Sequence, residues 1–222
     1  MWRELACAHT LIEFSLNGAA QICGSWQAEG AQLHVMTPQG DFTTTLQVLG
    51  EHNARNALAA TAAALAINIS LSDIALGLAQ FDGVAGRLQR KATPTGATLL
   101  DDTYNANPAS MQAAIQVLAA AQGKRILVIG DMGELGDDAI RLHAEIGLLA
   151  QQAGIDQLYA LGDLSKNAVH TFGQDAQHFA SVTDLQHTLV QQLDAHTTVL
   201  VKGSRFMKME RIVQALTSEQ ME

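Results

Sequence analysis

The chain has 222 residues, of which 48% are hydrophobic, and a formal net charge of −9 from 13 basic and 22 acidic side chains. This length suits one large domain or two modest ones with a sizeable core. The acidic balance, without a basic run, argues against nucleic acid and an anionic membrane surface as partners. Cys7 and Cys23 match neither a metal site nor a disulfide framework, and neither a membrane span nor a signal peptide is expected. These features predict a cytoplasmic protein.

The beginning of the chain predicts short strands followed by two helices. Turn signals separate four apolar runs that are typical of strands, at 11–16, 19–26, 32–36 and 42–48. The alanine-rich run at 50–67 favours a helix, because alanine has the highest helix propensity. A second helix is predicted at 71–81, with Ser72 as its cap.

From about Gly86 onward, predicted strands and helices alternate. The strands are predicted at 88–92, 97–100, 125–130, 156–162, 178–180 and 197–203. The helices are predicted to follow Pro108 and to lie at 139–153, 164–171, 182–194 and 206–217. Strict alternation is typical of a doubly wound α/β domain with a mostly parallel sheet covered on both faces. We therefore expect such a domain at 86–222.

Polar segments follow four of these strands, at 101–107, 130–136, 162–165 and 202–208. In the first of them, Asp101 and Asp102 are expected in a loop after a buried strand, and Asn107 with Pro108 is a good helix start. Because the carboxyl ends of parallel strands lie on one edge of the sheet, the four segments could converge on one ligand.

The glycine-rich segment 130–136 raises the question of a nucleotide loop. Gly130, Gly133 and Gly136 have the spacing G-x-x-G-x-x-G, and Asp131 and Glu134 between them would repel a pyrophosphate. This argues against a nicotinamide or flavin site, and a tight strand-to-helix turn is the alternative. The sequence also has no G-x-x-x-x-G-K-[ST] phosphate loop.

Two further groups of polar residues are candidates for ligand contacts. Lys202, Ser204 and Arg205 lie where the last strand meets the last helix, and cations at a helix start suit a carboxylate or phosphate. The alternative is a solvated helix start. Asn53 and Asn56 share one helix face and could bind the edge of a purine, with helix capping by Asn53 as the alternative.

Five motifs occur together, in this order: GEHNARNALAA (50–60), GVAGRLQ (83–89), LDDTYNANPASM (100–111), VIGDMGELG (128–136) and VLVKGSRFMKME (199–210). Together they resemble the Mur ligase family of peptidoglycan synthesis, from about Gln32 onward. The resemblance implies that residues 1–85 are the later part of a central ATPase-type α/β domain. It implies that residues 86–222 are a carboxyl-terminal Rossmann-like ligase domain. The chain would then be the carboxyl-terminal part of a longer enzyme.

The resemblance also implies a reaction, an ADP-forming ligation of an amine to a carboxylate. DDTYNANP together with KGSR…ME favours the family branch that joins D-Ala-D-Ala to UDP-N-acetylmuramoyl-tripeptide through an acyl-phosphate. The implied partners are these two substrates and the amino-terminal part of the same protein. The implied cofactors are ATP and Mg²⁺, with the metal ligands outside this chain, so the chain alone is expected to be inactive. The alternatives are a non-catalytic nucleotide- or dipeptide-binding module of the same fold, or a relative of folylpolyglutamate or cyanophycin synthetases.

Residue roles follow from the resemblance, position by position. Asn53 and Asn56 would contact adenine, Asp102 would bind the ribose hydroxyls, and Arg87 would reach the ATP phosphates as the catalytic residue. The residues expected around the dipeptide are Tyr104, Asn105, Asn107, Glu134, Lys202, Ser204 and Arg205.

Overall fold

The computed structural model of the protein describes residues 6, 8–48 and 50–218. The chain divides between Asp82 and Gly83 into two units, which we call the first unit (1–82) and the second unit (83–222). In the described residues, no helix combines the length and the apolar character that a membrane span requires.

The described residues of the first unit form a small sheet and two helices. The strands are β1 (Phe14–Leu16), β2 (Ile22–Gln27), β3 (Gln32–Thr37) and β4 (Gly40–Thr45), and the helices are α1 (Glu51–Ala66) and α2 (Leu71–Gln80). The strand order is β1-β2-β3-β4, with β1 parallel to β2 and the other two pairs antiparallel. Leu33 and Val35 alternate with more exposed neighbours along β3 and pack with Leu58 of α1, so one sheet face and the helices share this core.

The starts of the two helices differ from the sequence predictions. The helix α1 begins after Gly50, which has a φ of 96° and supplies no side-chain cap, so the interpretation of Asn53 as a cap is wrong. The cap of α2 is Ser70 rather than Ser72, since the Ser70 hydroxyl accepts a hydrogen bond from the Asp73 N–H at 3.2 Å. Ser72 already lies within the first helical turn, where its hydroxyl cannot serve as the N-cap.

The described residues of the second unit contain a larger sheet with helices on it. The strands are β5 (Gln89–Ala92), β6 (Thr98–Asp102), β7 (Lys124–Gly130), β8 (Gln157–Leu161), β9 (Ala176–Phe179) and β10 (Thr197–Lys202). The helices are α3 (Pro108–Ala119), α4 (Ala139–Gln152), α5 (Lys166–Phe172), α6 (Val182–Val190) and α7 (Glu210–Thr217). The strand order is β5-β6-β10-β7-β8-β9, with β5 antiparallel to β6 and the other pairs parallel. This confirms the predicted doubly wound, mostly parallel α/β fold.

The central strand β10 is buried along its whole length. On one face, Val199 and Val201 pack in a core with Leu185 of α6 and Ile212 of α7. The helix α3 contacts β10 and β7. Because both faces are covered, the strand reads as an almost continuous apolar run that ends in Lys202. This run brings a lysine side chain to the carboxyl edge of the sheet.

Several predicted boundaries in this unit differ from the structure; the helix predicted at 182–194, for example, ends at Val190. Two of the differences concern candidate site residues. Asp101 and Asp102 are the last two residues of β6 rather than part of a loop, since they pair in register with Val201 and Lys202 of β10. The last helix begins at Glu210 rather than at 206. A 3-10 turn at Arg205–Met207 and a left-handed Lys208 precede it, so Lys202 and Arg205 do not lie at the amino end of an α-helix.

Candidate functional site

The candidate site lies at the carboxyl edge of the parallel sheet, and its centre is a buried ion pair. Lys202 Nζ at the end of β10 lies 2.6 Å from Asp102 Oδ2 at the end of β6, with side chains 3% and 13% exposed. The other oxygen of Asp102 accepts a hydrogen bond from the Leu88 N–H at 3.1 Å. Lys202 Nζ also donates to the Asn105 carbonyl at 2.8 Å. The two buried charges therefore compensate each other, which burial requires.

The neighbouring acid, Asp101, belongs to a separate ion pair. Its Oδ2 lies 2.7 Å from Lys91 Nζ of β5, and its Oδ1 accepts a 2.7 Å hydrogen bond from the Thr103 hydroxyl. Successive side chains of a strand point to opposite faces of the sheet. Asp101 and Asp102 therefore meet different lysines and do not form a catalytic carboxylate pair.

An exposed cluster of Arg87, Tyr104 and Arg205, which we call the arginine–tyrosine cluster, lies at the same edge. The guanidinium carbon of Arg87 is 4.4 Å from the centroid of the Tyr104 ring, and that of Arg205 is 6.0 Å from it. The ring is attractive to both cations through its π-face. Tyr104 is 46% exposed. Two guanidinium groups on a half-exposed ring can bind a phosphate or a carboxylate from solvent.

Sequence reasoning missed the residue that makes this cluster possible. The Tyr104 N–H donates to the Gly86 carbonyl at 2.9 Å, and Gly86 has a φ of 74°. A Cβ on Gly86 would lie 2.9 Å from the Tyr104 nitrogen. Glycine is therefore required at the point where the segment that carries Arg87 crosses the loop that carries Tyr104. The signal in the sequence is the second glycine of GVAGRLQ.

The two asparagines of the β6–α3 loop have local partners. Asn107 caps α3 in a capping box: its Oδ1 accepts from the Ser110 N–H at 2.8 Å, and its own N–H donates to the Ser110 hydroxyl at 3.0 Å. This confirms the predicted helix start. Asn105 is exposed, and its Oδ1 accepts from the Ala106 N–H at 2.8 Å, which leaves its amide N–H groups at the surface.

Ser204 joins the loop after β10 to two other loops. Its hydroxyl donates to the Ala106 carbonyl at 3.2 Å and accepts from the Gly133 N–H at 2.8 Å. Its own N–H donates to the Asp131 carbonyl at 3.0 Å. The Asp131 carboxylate in turn accepts from the Ser165 N–H at 2.8 Å, after β8. The four polar segments that the sequence predicted at this edge are thus connected to one another.

The segment 130–136 forms a tight turn that His143 of α4 supports. In the tautomer with a proton on Nδ1, His143 donates to the Ala139 carbonyl at 2.7 Å and its Nε2 accepts from the Met132 N–H at 2.9 Å. His143 is 1% exposed, so it acts as a structural residue. Glu134, at the tip of the turn, is exposed and has a φ of 61°.

In the first unit, the Asn53–Asn56 pair shares a face of α1, as predicted. The Asn56 amide donates to Asn53 Oδ1 at 3.3 Å, and Asn56 is exposed. Across residues 6, 8–48 and 50–218, no three His, Cys, Asp or Glu side chains are grouped so that they could hold a metal ion. The two acids at the end of β6, Asp101 and Asp102, form ion pairs with lysines.

Comparison with known proteins assigns the family. Residues 86–205 match the family model described as "Mur ligase, glutamate ligase domain". The chain is 42% identical over 222 residues to the UDP-N-acetylmuramoyl-tripeptide–D-alanyl-D-alanine ligase of Escherichia coli strain K12. This alignment covers 97% of this chain and 49% of the relative. The same ligase of Haemophilus influenzae is 39% identical over 195 residues, covering 85% of this chain and 42% of the relative.

A solved structure agrees with these relatives. The crystal structure of MurF from Acinetobacter baumannii superposes with a TM-score of 0.84 at 35% identity, covering 97% of this chain and 48% of that chain. The chain therefore belongs to the Mur ligase family. The relatives it matches bear the name of the ligase for UDP-N-acetylmuramoyl-tripeptide and D-alanyl-D-alanine, or MurF, and the chain spans about half of their length.

Proposed function

We propose that this chain is the carboxyl-terminal part of an ATP-dependent ligase that adds D-Ala-D-Ala to UDP-N-acetylmuramoyl-tripeptide in peptidoglycan synthesis. The observation that carries the proposal is the arginine–tyrosine cluster, with Arg87 4.4 Å from the Tyr104 ring and Arg205 6.0 Å from it. It provides two exposed cations at the sheet edge where α/β folds bind ligands. The 42% identity to a ligase of that name supports the substrates.

For ATP, the proposed ligands in the second unit are Arg87 and Asp102. The exposed guanidinium of Arg87 suits a phosphate. Each oxygen of Asp102 is used once, by Leu88 and by Lys202. A carboxylate offers about four acceptor positions, so Asp102 can still accept from a ribose hydroxyl. Bound ATP would supply the phosphoryl group that activates the acceptor carboxylate.

In the first unit, we propose that the Asn53–Asn56 pair contacts adenine. The hydrogen bond between the two amides at 3.3 Å fixes them on one face of α1. An amide group can donate and accept at once, which matches the edge of a purine. We further propose that the first unit is the later part of the ATP-binding domain and that the ligands of Mg²⁺ lie outside this chain.

For the dipeptide, the proposed ligands come from the loops after β6, β7 and β10. Arg205 suits the terminal carboxylate: its Nη1 lies 3.5 Å from Glu210 Oε1, and a guanidinium has five N–H donors, so it can bind a second carboxylate. Glu134 suits the amino group, because its exposed carboxylate offers the opposite charge. Tyr104 and Asn105 would complete this surface through a ring face and amide N–H groups. Asn107 and Ser204 hold the loops, by the α3 cap and by the bonds to Ala106 and Gly133.

A ligand titration separates this function from glutamate ligation, which the description of the matching family model suggests. The ¹⁵N-labelled chain would be titrated with D-Ala-D-Ala and, separately, with L-glutamate. We expect D-Ala-D-Ala to shift the amide signals of 103–107 and 204–205 in the wild type and much less in Arg205→Gln. Arg141→Gln is the matched control, since Arg141 is exposed and lies on α4. If L-glutamate shifts these signals and D-Ala-D-Ala does not, the proposal that this chain binds the dipeptide is refuted and glutamate ligation is favoured.

Catalysis itself is tested in the complete ligase that would contain this chain. Phosphate release should require ATP, the acceptor peptide and D-Ala-D-Ala together. Binding of D-Ala-D-Ala without any such release in the complete protein would instead support the binding-module alternative.

A further inference from the structure

Lys202 is the most deeply buried cation of the candidate site. It is the last residue of β10 in the middle of the sheet, where it pairs in register with Asp102 of β6 and Ile129 of β7. Its side chain is only 3% exposed. The neighbouring lysine at this edge, Lys91, is 33% exposed. The ammonium of Lys202 is thus enclosed by protein rather than presented to a ligand.

The ammonium has two partners on different segments of the chain. It lies 2.6 Å from Asp102 Oδ2 and donates to the Asn105 carbonyl at 2.8 Å. A lysine ammonium has three N–H donors, so these contacts use two of them. Substitution of a buried ion pair by apolar residues is often neutral or stabilising, so stability alone does not account for a lysine here.

Each partner of Lys202 is next to the arginine–tyrosine cluster, either through a hydrogen bond or in the sequence. Asp102 Oδ1 accepts from the Leu88 N–H at 3.1 Å, and Leu88 follows Arg87 and has a left-handed φ of 51°. Asn105 follows Tyr104, whose ring lies 4.4 Å from the Arg87 guanidinium carbon. One ammonium therefore connects the backbone beside Arg87 to the backbone beside Tyr104.

We propose that Lys202 is a positioning residue, whose ammonium fixes the Asp102 carboxylate and the Asn105 carbonyl so that segment 86–88 and loop 103–107 keep one arrangement. This role replaces the direct substrate contact that the sequence resemblance implied for Lys202. It rests on the proposed function, because the segments it fixes carry the proposed ATP and dipeptide ligands.

Hydrogen–deuterium exchange of the 222-residue chain tests the geometry without any ligand. The reporters are the Leu88 amide, which donates to Asp102, and the Tyr104 amide, which donates to Gly86. In Lys202→Met, we expect both amides to exchange at least about tenfold faster while the amides of β7 and β8 keep their rates. Unchanged rates, or equal acceleration of all sheet amides, would overturn the proposal.

Lys124→Met is the matched control. Lys124 is half-buried at the start of β7, at the opposite edge of the sheet, and donates to Gln192 Oε1 at 2.6 Å. The Lys124→Met variant also loses a lysine side-chain hydrogen bond, but Lys124 contacts neither the Leu88 amide nor the Tyr104 amide. We expect the Leu88 and Tyr104 amides of this variant to exchange at wild-type rates, and acceleration equal to that in Lys202→Met would count against the proposal.

A second variant covers the case in which Lys202→Met fails to fold because Asp102 keeps a buried, uncompensated charge. The double variant Lys202→Met/Asp102→Asn removes both charges and retains an oxygen that can accept from Leu88. We expect slow exchange to return at Leu88 and exchange to remain fast at Tyr104, because the Asn105 carbonyl still lacks its donor. Wild-type exchange at both amides would overturn the role of the ammonium.

Kinetics of the complete ligase provide the functional readout. We expect Lys202→Met to raise KM for both ATP and D-Ala-D-Ala at least about tenfold and to lower kcat as well, because the two segments that lose their fixed arrangement carry proposed ligands of both substrates, with Arg87 at the ATP phosphates among them. A residue with a merely structural role would lower Tm and leave KM unchanged, and that result would overturn the proposal. If the wild-type ligase does not use D-Ala-D-Ala, the proposed function fails, and the exchange rates still decide the positioning role.

Discussion

At the residue scale, the two acids at the end of β6 show how neighbours in sequence acquire different environments. Asp101 pairs with Lys91 of the antiparallel edge strand, whereas Asp102 pairs with Lys202 of the central strand. The Asp102 pair is the more enclosed, with Lys202 3% exposed against 33% for Lys91. Since Coulomb interactions strengthen as water is excluded, we expect the Asp102 pair to hold its two segments more firmly than the Asp101 pair.

The role of Tyr104 gives a prediction at this scale. Tyr104→Ala removes the ring that lies 4.4 Å from the guanidinium carbon of Arg87. An exposed cation–π contact contributes about 0.5–1 kcal/mol, and Arg87 is a proposed ATP ligand, so we expect KM for ATP in the complete ligase to rise about threefold. Tyr104→Phe is the matched control, because it keeps the ring face and should keep KM. An equal loss in both variants would show that the hydroxyl, rather than the ring, matters.

The sequence identifies residues of the site more readily than their partners. Asn107 was predicted correctly as a helix cap because its partner, Ser110, lies three positions away. The resemblance predicts Lys202 as a substrate ligand, and the structure shows its partners within the protein to be Asn105, which is 97 positions away, and Asp102. No local sequence pattern predicts a contact between residues that are so far apart in the chain. The roles of Arg87, Asp102 and the dipeptide residues remain predictions that ligand binding must test.

At the element scale, the packing of α4 against α5 depends on a glycine. A Cβ on Gly147 would meet the Thr171 hydroxyl and the Ala168 carbonyl, with the carbonyl carbon at 2.7 Å. The Thr171 hydroxyl donates to the Ala144 carbonyl at 2.6 Å, which ties the two helices together. Because backbone atoms cannot yield as a side chain can, we expect Gly147→Ala to lower the free energy of unfolding of the second unit by about 2–4 kcal/mol. Urea unfolding followed by circular dichroism measures this loss.

A second helical glycine provides the control for that substitution. Gly77 lies inside α2, and a Cβ there would meet nothing within 4 Å. We expect Gly77→Ala to raise the free energy of unfolding of the first unit by about 0.5–1 kcal/mol, because alanine loses less backbone entropy. Trp26 fluorescence in urea reports this unit. Destabilisation by both substitutions would contradict the distinction that the packing draws between them.

The elements themselves were predicted well where periodicity was strong. Alternating strands and helices from about Gly86 define the parallel sheet, and the structure confirms them. The errors that concern the candidate site lie at the ends of elements. The strand β6 extends to Asp102 because β10 pairs with it, and the last helix starts at Glu210 after the left-handed Lys208. Both boundaries change the interpretation of the candidate site.

At the scale of the whole molecule, one ion pair gives a pH-dependent contribution to stability. Hydrogen bonds from the Arg125 side chain lower the pKa of Asp156 below its usual value, and the Arg125 N–H also donates to Asp156 Oδ2 at 2.8 Å. A lowered pKa in the folded state means that the contribution is full above the unfolded pKa and is lost as pH falls through the folded pKa. The Asp156 side chain is 41% exposed, so solvent screening keeps the contribution small.

We therefore expect Asp156→Asn to lower the free energy of unfolding by about 0.5–1 kcal/mol at neutral pH. The difference from the wild type should be constant above about pH 5 and shrink as pH falls below about 4. Urea unfolding at a series of pH values measures it. Asp163→Asn is the control, because Asp163 is 99% exposed and its nearest lysine nitrogen is 3.9 Å away. A difference that grows as the pH falls would contradict the assignment.

The two units should also differ in stability. The first unit has a short chain and exposes large apolar side chains, with Ile67 71%, Leu76 56% and Phe81 47% exposed. The second unit also exposes large apolar side chains, with Phe206 62% and Ile140 61% exposed, but it is longer and encloses whole strands such as β10. Exposed apolar surface is typical of contact regions, and short units bury a smaller fraction of their surface. We expect the first unit to unfold at a lower urea concentration than the second, and the chain to self-associate.

Trp26 is partly buried against the core of the first unit, and residues 83–222 contain no tryptophan, so tryptophan fluorescence follows the first unit. Circular dichroism follows both units. We expect the fluorescence midpoint to precede the main circular dichroism midpoint by about 1 M urea, and sedimentation to show concentration-dependent association. Coincident midpoints together with a monomer at all concentrations would mean that the first unit is as well enclosed as the second. The exposed Ile67 and Leu76 would then be ordinary surface residues, because scattered apolar side chains are normal on protein surfaces.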